Sequence, residues 1–326
     1  MLERLFNAAW YGRIPWTWVL WPLLLLVLFV TKRKRQQYLA LNSKPYDVPV
    51  IVVGNITLGG TGKTPVVQAL VRYLQSQGYT PGVISRGYGG ELTDFPHLIQ
   101  NQDSSQKVGD EPFMLFQSLR IPVVVDPVRA RAVPLILEKG VDVIISDDGL
   151  QHYGLHRDYE VCVIDGSRGL GNAQLMPVGP LREHRSRLQT VNYILSSDKN
   201  VDDNTFQIKP IAWVNLVTNE EQSLASFKST DDALAIAGIG NPNKFLNTIN
   251  ELGIYCDHKW FPDHYDYKEQ DLSGLTQQIL MTEKDAVKIK QFAKSDMWYL
   301  KIAADLPAAF LHDLNIKLEQ WKRDHG

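Results

Sequence analysis

Cysteine is scarce in this chain: Cys162 and Cys256 are the only two among 326 residues. They lie far apart and match no metal-ligand spacing, which excludes a disulfide scaffold and a zinc site and fits a reducing compartment. Net charge is scarce as well, with 34 basic against 36 acidic side chains, so nothing global points to a nucleic-acid partner and none is expected. There is no low-complexity tract and no repeat of solenoid period. A content of 44% apolar and 21% charged residues excludes wholesale disorder and collagen-like architecture. The apolar run near the start is not expected to be a secretory leader either. Such a leader carries its charge before the apolar run, whereas here the charge follows it, and Ala40-Leu41-Asn42 is a poor cleavage site.

What is present is unevenly placed. Residues 1–35 hold six basic side chains against one acid, so the remainder of the chain is acidic in balance. Four of the eight tryptophans (Trp10, Trp16, Trp18, Trp21) fall in the same stretch. From Ile14 to Val30 the chain reads IPWTWVLWPLLLLVLFV without a charge and ends on Lys32-Arg33-Lys34-Arg35. As a helix this run spans about 25 Å, slightly less than a hydrocarbon core of about 30 Å. Tryptophans at one end and basic residues at the other are interface anchors, and the basic end belongs in the cytoplasm. Residues 1–35 are therefore expected to anchor the chain in a membrane; Pro15, Pro22 and the short span leave a buried or interfacial helix as the alternative.

Beyond the anchor, short β-branched runs alternate with helical patterns. Pro49–Val53, Gly82–Ser85, Ile121–Val125, Val141–Ser146, Val161–Ile164 and Tyr193–Ser196 are candidate strands. Several are apolar on both faces, as in a mostly parallel sheet covered by helices. They end at Gly54-Asn55, Arg86-Gly87, Asp126, Asp147-Asp148 and Asp165, and ligands of open α/β sheets sit outside such strand ends. The polar stretch 197–207 divides a lobe over residues 36–200 from a second α/β lobe over 201–326. In the latter, Leu234–Ala237 and Ile279–Met281 read as strands, with helices through Leu252 and over 309–323.

The strongest motif is Gly54-Asn-Ile-Thr-Leu-Gly-Gly-Thr-Gly-Lys-Thr-Pro65, placed between a strand and the helical run Val66–Gln77. This is the setting of a P-loop. Gly59, Gly60 and Gly62 allow backbone N–H groups to turn inward, the helix N-terminus adds positive charge, Lys63 reaches the β- and γ-phosphates and the Thr64 hydroxyl ligates Mg²⁺. Thr57 stands where the first glycine is usual, which requires a backbone conformation that a β-branched residue tolerates. The strand ending at Asp147-Asp148 supplies an acid for the same metal, and spacing does not say which. His152 and His156, four apart, find no third ligand. No Asn/Thr-Lys-x-Asp motif for guanine is present, so ATP is the expected nucleotide. These features define a membrane-anchored P-loop α/β protein, equally a kinase or a tethered regulatory or assembly ATPase.

Several blocks then resemble the tetraacyldisaccharide 4'-kinase family, the lipid A 4'-kinases of Gram-negative bacteria. They are residues 54–65, Ser-Arg-Gly-Tyr-Gly (85–89), Gly-Asp-Glu-Pro (109–112), Asp-Asp-Gly-Leu-Gln-His (147–152), Gly-Pro-Leu-Arg-Glu (179–183), Phe-Pro-Asp-His-Tyr (261–265) and Thr-Glu-Lys-Asp-Ala (282–286). The resemblance covers nearly the whole chain; Thr57 fits it, and Leu150 stands where the family commonly has Phe. It implies two Rossmann-like lobes, with ATP and Mg²⁺ as cofactors. The implied reaction is phosphorylation of the 4'-hydroxyl of an acylated glucosamine disaccharide 1-phosphate, at the cytoplasmic face of the bacterial inner membrane. No obligate protein partner is implied. Carried over onto this chain, the resemblance makes Asp110 the general base with His264, and Lys63 catalytic. Thr57, Gly59, Gly60, Thr61, Gly62, Lys63, Thr64, Arg86 and Arg182 would bind nucleotide, with Thr64, Asp147, Asp148 and Glu183 around the metal. Without the family, Asp110 reads as a helix cap, His264 as a surface residue, and Arg185 with Arg187 as a basic stretch facing anionic headgroups. The role of Thr282–Asp285 stays open beyond a cap at Thr282.

Overall fold

A computed structural model describes residues 2–12, 16–40, 45–197 and 202–325. Ile14 and Pro15 of the apolar run, residues 41–42 and residues 198–201 of the polar boundary lie outside the described residues, as do the side chains of Lys34 and Arg35.

In the first lobe, β1 (Val50–Gly54), β2 (Pro81–Ser85), β4 (Val123–Val125), β5 (Val143–Asp147), β6 (Tyr159–Ile164) and β7 (Tyr193–Ser196) are parallel. A two-residue strand β3 (His97–Leu98) runs antiparallel at the edge, giving the order β3-β4-β2-β5-β1-β6-β7. The central strands are apolar on both faces because helices cover both. Val53, Val83 and Ile145 face a core shared with α3 (Lys63–Ser76) and α5 (Asp110–Leu119), while Val52, Ile84 and Ile144 face the one shared with α6 (Arg129–Leu137). A four-residue helix α4 (Ser105–Val108) precedes α5. Central β1 delivers the phosphate loop, and β5, β2 and β6 end beside it.

The second sheet has the order β11-β10-β12-β13-β8-β9. Its members are β8 (Gln207–Asn215), β9 (Glu221–Ser223), β10 (Leu234–Ala237), β11 (Asp257–Trp260), β12 (Ile279–Thr282) and β13 (Met297–Asp305). β10 to β13 pair in parallel, and β8 and β9 turn antiparallel. α7 (Pro242–Glu251), α8 (Glu269–Leu272) and α9 (Glu283–Ile289) complete this lobe. One correction concerns the end of the chain. α10 (Ala308–His325) buries Phe310, Leu314 and Leu318 in the core of the first lobe, with Asn315 donating to the Tyr73 hydroxyl at 2.5 Å. Residues 201–326 are therefore not one contiguous lobe, because the apolar stripe of α10 matches the α3 side of the first sheet.

The N-terminal run is not a single helix. α1 (Leu2–Tyr11) is followed by a 3₁₀ turn at Trp16–Leu20 and then α2 (Trp21–Ala40). Pro22 sits in the first turn of α2, where its missing N–H costs nothing. Leu24 is buried against the first lobe with Leu20 beside it, while Leu23, Leu25, Leu26, Phe29 and Val30 are exposed. The window Trp16–Arg33, of mean hydropathy 1.3, is long and apolar enough to cross a membrane.

Candidate active site

β1 is wholly buried and runs into Gly54, where a side chain would begin 2.7 Å from Leu150 Cγ, so only glycine fits. Asn55 follows, fully buried, with neither side-chain atom hydrogen-bonded. Thr57 does not adopt positive φ; it forms a β-bridge to Leu181, while Leu58 N donates to Pro180 O at 2.8 Å. That extended conformation is why threonine serves where glycine is usual. The left-handed positions fall on Gly59 (φ 95°) and Gly62 (φ 86°), and Gly62 N-caps α3. Nothing lies within 4 Å of a side chain built on Gly60, so this edge of the loop faces open space. Lys63 and Thr64 begin α3, whose unpaired N–H groups and positive pole favour anions.

β5 brings up the two acids, which differ sharply. Asp148, at φ 48°, lies 3.5 Å from Lys63 Nζ and accepts from Arg182 Nη1 at 3.0 and 3.2 Å. Burial alone would raise its pKa, but Lys63 and Arg182 draw it down to about 2. Asp147 is fully buried and neither carboxylate oxygen has a hydrogen-bond partner. Burial, together with the charges of Glu111 and Asp148, pushes it well above the usual carboxylate range. Two enclosed, unpartnered oxygens near the P-loop Lys63 fit a divalent cation, and Asp147 with Thr64 would hold it. Glu183, also expected around the metal, is engaged by protein groups in this arrangement. It accepts from Gln151 Nε2 at 2.8 Å and from the Tyr153 hydroxyl, and lies 3.8 Å from Arg187 Nε. Among the described residues, no three or more His, Cys, Asp or Glu side chains form a metal-holding group.

The Asp110–His264 pair joins the lobes. His264, in the loop after β11, has φ 58°, and its Nδ1 lies 3.1 Å from Asp110 Oδ2. Its Nε2 lies 3.2 Å from Lys284 Nζ, and its ring meets Tyr88 edge-on at 5.7 Å. A lysine ammonium only donates, so Nε2 accepts and Nδ1–H donates to Asp110. Lys288, four residues beyond Lys284 on the same helix face, is 3.1 Å from the same carboxylate oxygen. Burial would raise the Asp110 pKa, but the His264 hydrogen bond and the Lys288 charge hold it below its ordinary value. His264 therefore orients the carboxylate and keeps it charged; it does not raise its basicity. Nor is Asp110 a helix cap: Gly109 caps α5 and Asp110 is its first residue. Thr282–Asp285 now has a structural account. Thr282 caps α9, Lys284 faces His264, and buried Asp285 accepts from Gly238 N at 3.0 Å and Tyr267 Oη at 3.0 Å. Gly238 O in turn accepts from His264 N at 3.2 Å, which ties the histidine loop to α9.

Of the polar strand ends, Asp126 and Asp165 are local turn formers. They accept from Val128 N (2.6 Å) and Ser167 N (3.0 Å), and Asp126 also pairs with Arg131. Arg86 is exposed at the end of β2, and Arg187, expected to face headgroups, is instead buried on Glu160. Thr61 is buried with its hydroxyl unpartnered. Sequence reasoning missed Arg129, a buried guanidinium that donates to the carbonyls of Asp126 (2.9 Å) and Asp147 (3.3 Å). Two arginines, Arg129 and Arg131, in the first turn of an otherwise apolar helix were the signal for it. It also missed Lys288, whose signal was its four-residue spacing from Lys284.

Comparison with known proteins places the chain in a family. The family model for tetraacyldisaccharide-1-P 4'-kinase matches residues 16–319. Curated tetraacyldisaccharide 4'-kinases of Vibrio campbellii (41% identical, covering 100% of this chain and 99% of that one) and Vibrio cholerae O1 El Tor (45%, 91% and 91%) are similar along their lengths. The crystal structure of Aquifex aeolicus LpxK in complex with ATP superposes with a TM-score of 0.76 at 26% identity, covering 92% of this chain and 98% of that one. With its P-loop, its buried aspartate and its lobe-bridging acid–histidine pair, this chain belongs to the tetraacyldisaccharide-1-P 4'-kinase family.

Proposed function

We propose that the protein transfers the γ-phosphoryl group of ATP to the 4'-hydroxyl of a tetraacylated glucosamine disaccharide 1-phosphate, a step of lipid A synthesis. The observation that carries this reading is the Asp110–His264 contact. A P-loop switch or assembly ATPase has no use for a carboxylate directed at an acceptor, whereas a sugar hydroxyl needs one as its proton leaves. Asp110 stays ionised under His264 Nδ1–H and Lys288, which suits a loose transition state in which the proton moves late. Lys63 and the backbone of 59–62 would position the donor phosphates. A Mg²⁺ ion held by Thr64 and Asp147 would supply neutralisation of the charge on the β- and γ-phosphates.

Membrane attachment follows from the same reading. Because Leu20 and Leu24 pack on the first lobe, the exposed apolar side chains, Val19, Leu23, Leu25, Leu26, Phe29 and Val30 among them, are the ones free to insert. We infer insertion into one leaflet, on the cytoplasmic side of the inner membrane, where both acceptor and soluble ATP are within reach. The deciding experiment offers detergent-dispersed disaccharide 1-phosphate and labelled ATP to the purified protein. Labelled lipid is expected, and Asp110→Asn should lower kcat by about 10²- to 10⁴-fold. ATP hydrolysis without transfer would overturn the assignment in favour of the ATPase.

A further inference from the structure

The loop after β6 carries a cation that the site described above does not use. Arg168 is half-buried, and among the described residues no carboxylate or carbonyl accepts a hydrogen bond from its guanidinium. The group lies 5.7 Å from the centre of the Tyr11 ring. On its other side, Nη1 comes within 3.3 Å of where a side chain at Gly59 would start. Gly59 adjoins the open edge of the loop at Gly60, and P-loop backbone of this kind cradles the terminal phosphates. Topology explains the proximity. β6 pairs directly with β1, placing Cys162 opposite Gly54, so both loops leave the same end of the sheet.

The loop is held from two sides. Asn172 N donates to Trp10 O at 2.8 Å, Trp10 Nε1 to Pro177 O at 3.1 Å and Thr17 Oγ1 to Val178 O at 2.8 Å. Leu58 N, in the phosphate loop itself, donates to Pro180 O. Arg168 is thus fixed between the N-terminal segment and the phosphate cradle with its donors unspent. A planar guanidinium in that position is suited to bidentate binding of phosphate oxygens.

We propose that Arg168 binds a phosphate group at the open edge of the P-loop and that the Tyr11 ring holds it there, so that docking of the N-terminal segment completes the site. This rests on the kinase reading above. The phosphate belongs either to the donor, as its terminal group, or to the acceptor, as its glycosyl 1-phosphate. Kinetics of Arg168→Gln, Arg168→Lys and Tyr11→Leu, with acceptors that keep or lack the 1-phosphate, separate these sources. Arg168→Gln is expected to lose about 10- to 100-fold in kcat/KM, the scale of a charge-assisted hydrogen bond. Arg168→Lys should recover part of the loss, and Tyr11→Leu should shift the same parameter by less. A loss equal with both acceptors assigns the donor phosphate; a loss that vanishes without the 1-phosphate assigns the acceptor. The proposal is overturned if Arg168→Gln stays within twofold of an active wild type in kcat and both KM values. It is also overturned if Arg168→Lys recovers nothing while all three variants merely lower Tm. Wild-type transfer is measured first, because its absence sinks the kinase reading rather than the role of Arg168.

Discussion

Lys284 decides which nitrogen of His264 faces Asp110. With its ammonium on Nε2, the imidazole proton sits on Nδ1 and points at the carboxylate. Lys284→Met should release that tautomer, seen as a change in the imidazole ¹⁵N shifts, and lower kcat by roughly 10-fold through lost orientation. Unchanged shifts and kcat would show that Lys284 does not set the tautomer. A second prediction concerns Asp147, whose folded-state pKa lies above its unfolded value. A carboxyl shifted this way contributes stability in full below the ordinary aspartate range and loses it as pH rises through the raised value. Asp147→Asn should therefore match wild type in Tm near pH 3.5 and exceed it by about 2 °C at pH 8, while transfer is lost. A variant less stable than wild type at pH 8 would contradict this account of the buried charge.

Among the elements, β1, β2, β4, β5 and β6 were legible because each is buried on both faces between Gly- or Asp-rich turns, a pattern that leaves little choice of element; the half-buried two-residue β3 was not. Nor was β8. Its sequence holds Lys209 and Pro210, which argue against a strand, and the structure accommodates them with a register shift opposite Lys301 and Ile302 that turns Ile211 outward. The phosphate loop was legible because its chemistry is local in sequence. The support around Asp110 was not, since Lys288 acts across 178 positions of chain and no local pattern reports such a contact. α10 was recognised as an amphipathic helix but assigned to the wrong lobe, because periodicity shows that a stripe is apolar and not which core it meets. Leu314 is fully buried there. Leu314→Ala should cost about 2–5 kcal/mol and be read as a lowered Tm with weakened nucleotide binding; an unchanged Tm would mean that α10 is not part of the first core.

For the molecule as a whole, two lobes meet through the Asp110–His264 contact and an apolar one, where Ile208, Val287 and Ala304 pack on the first core, while an apolar segment is fastened to one of them. The exposed side chains Leu25, Leu26 and Phe29 share one face of α2 by their helical spacing. Replacing all three by Ser should move the protein from anionic vesicles to the supernatant in sedimentation. At about 25 cal/mol per Å² of apolar area, they supply much of the insertion energy. Activity on a detergent-dispersed acceptor should change far less, and retained vesicle binding would point to another attachment surface. The return of α10 to the first sheet also sets the order of events during synthesis. The strands of the phosphate lobe are synthesised early, but that lobe lacks a wall of its core until residues 308–325 emerge. At the usual pace of translation, the stretch between β7 and α10 takes about 5–20 s. The core behind the phosphate loop is thus completed only after the second lobe has been synthesised.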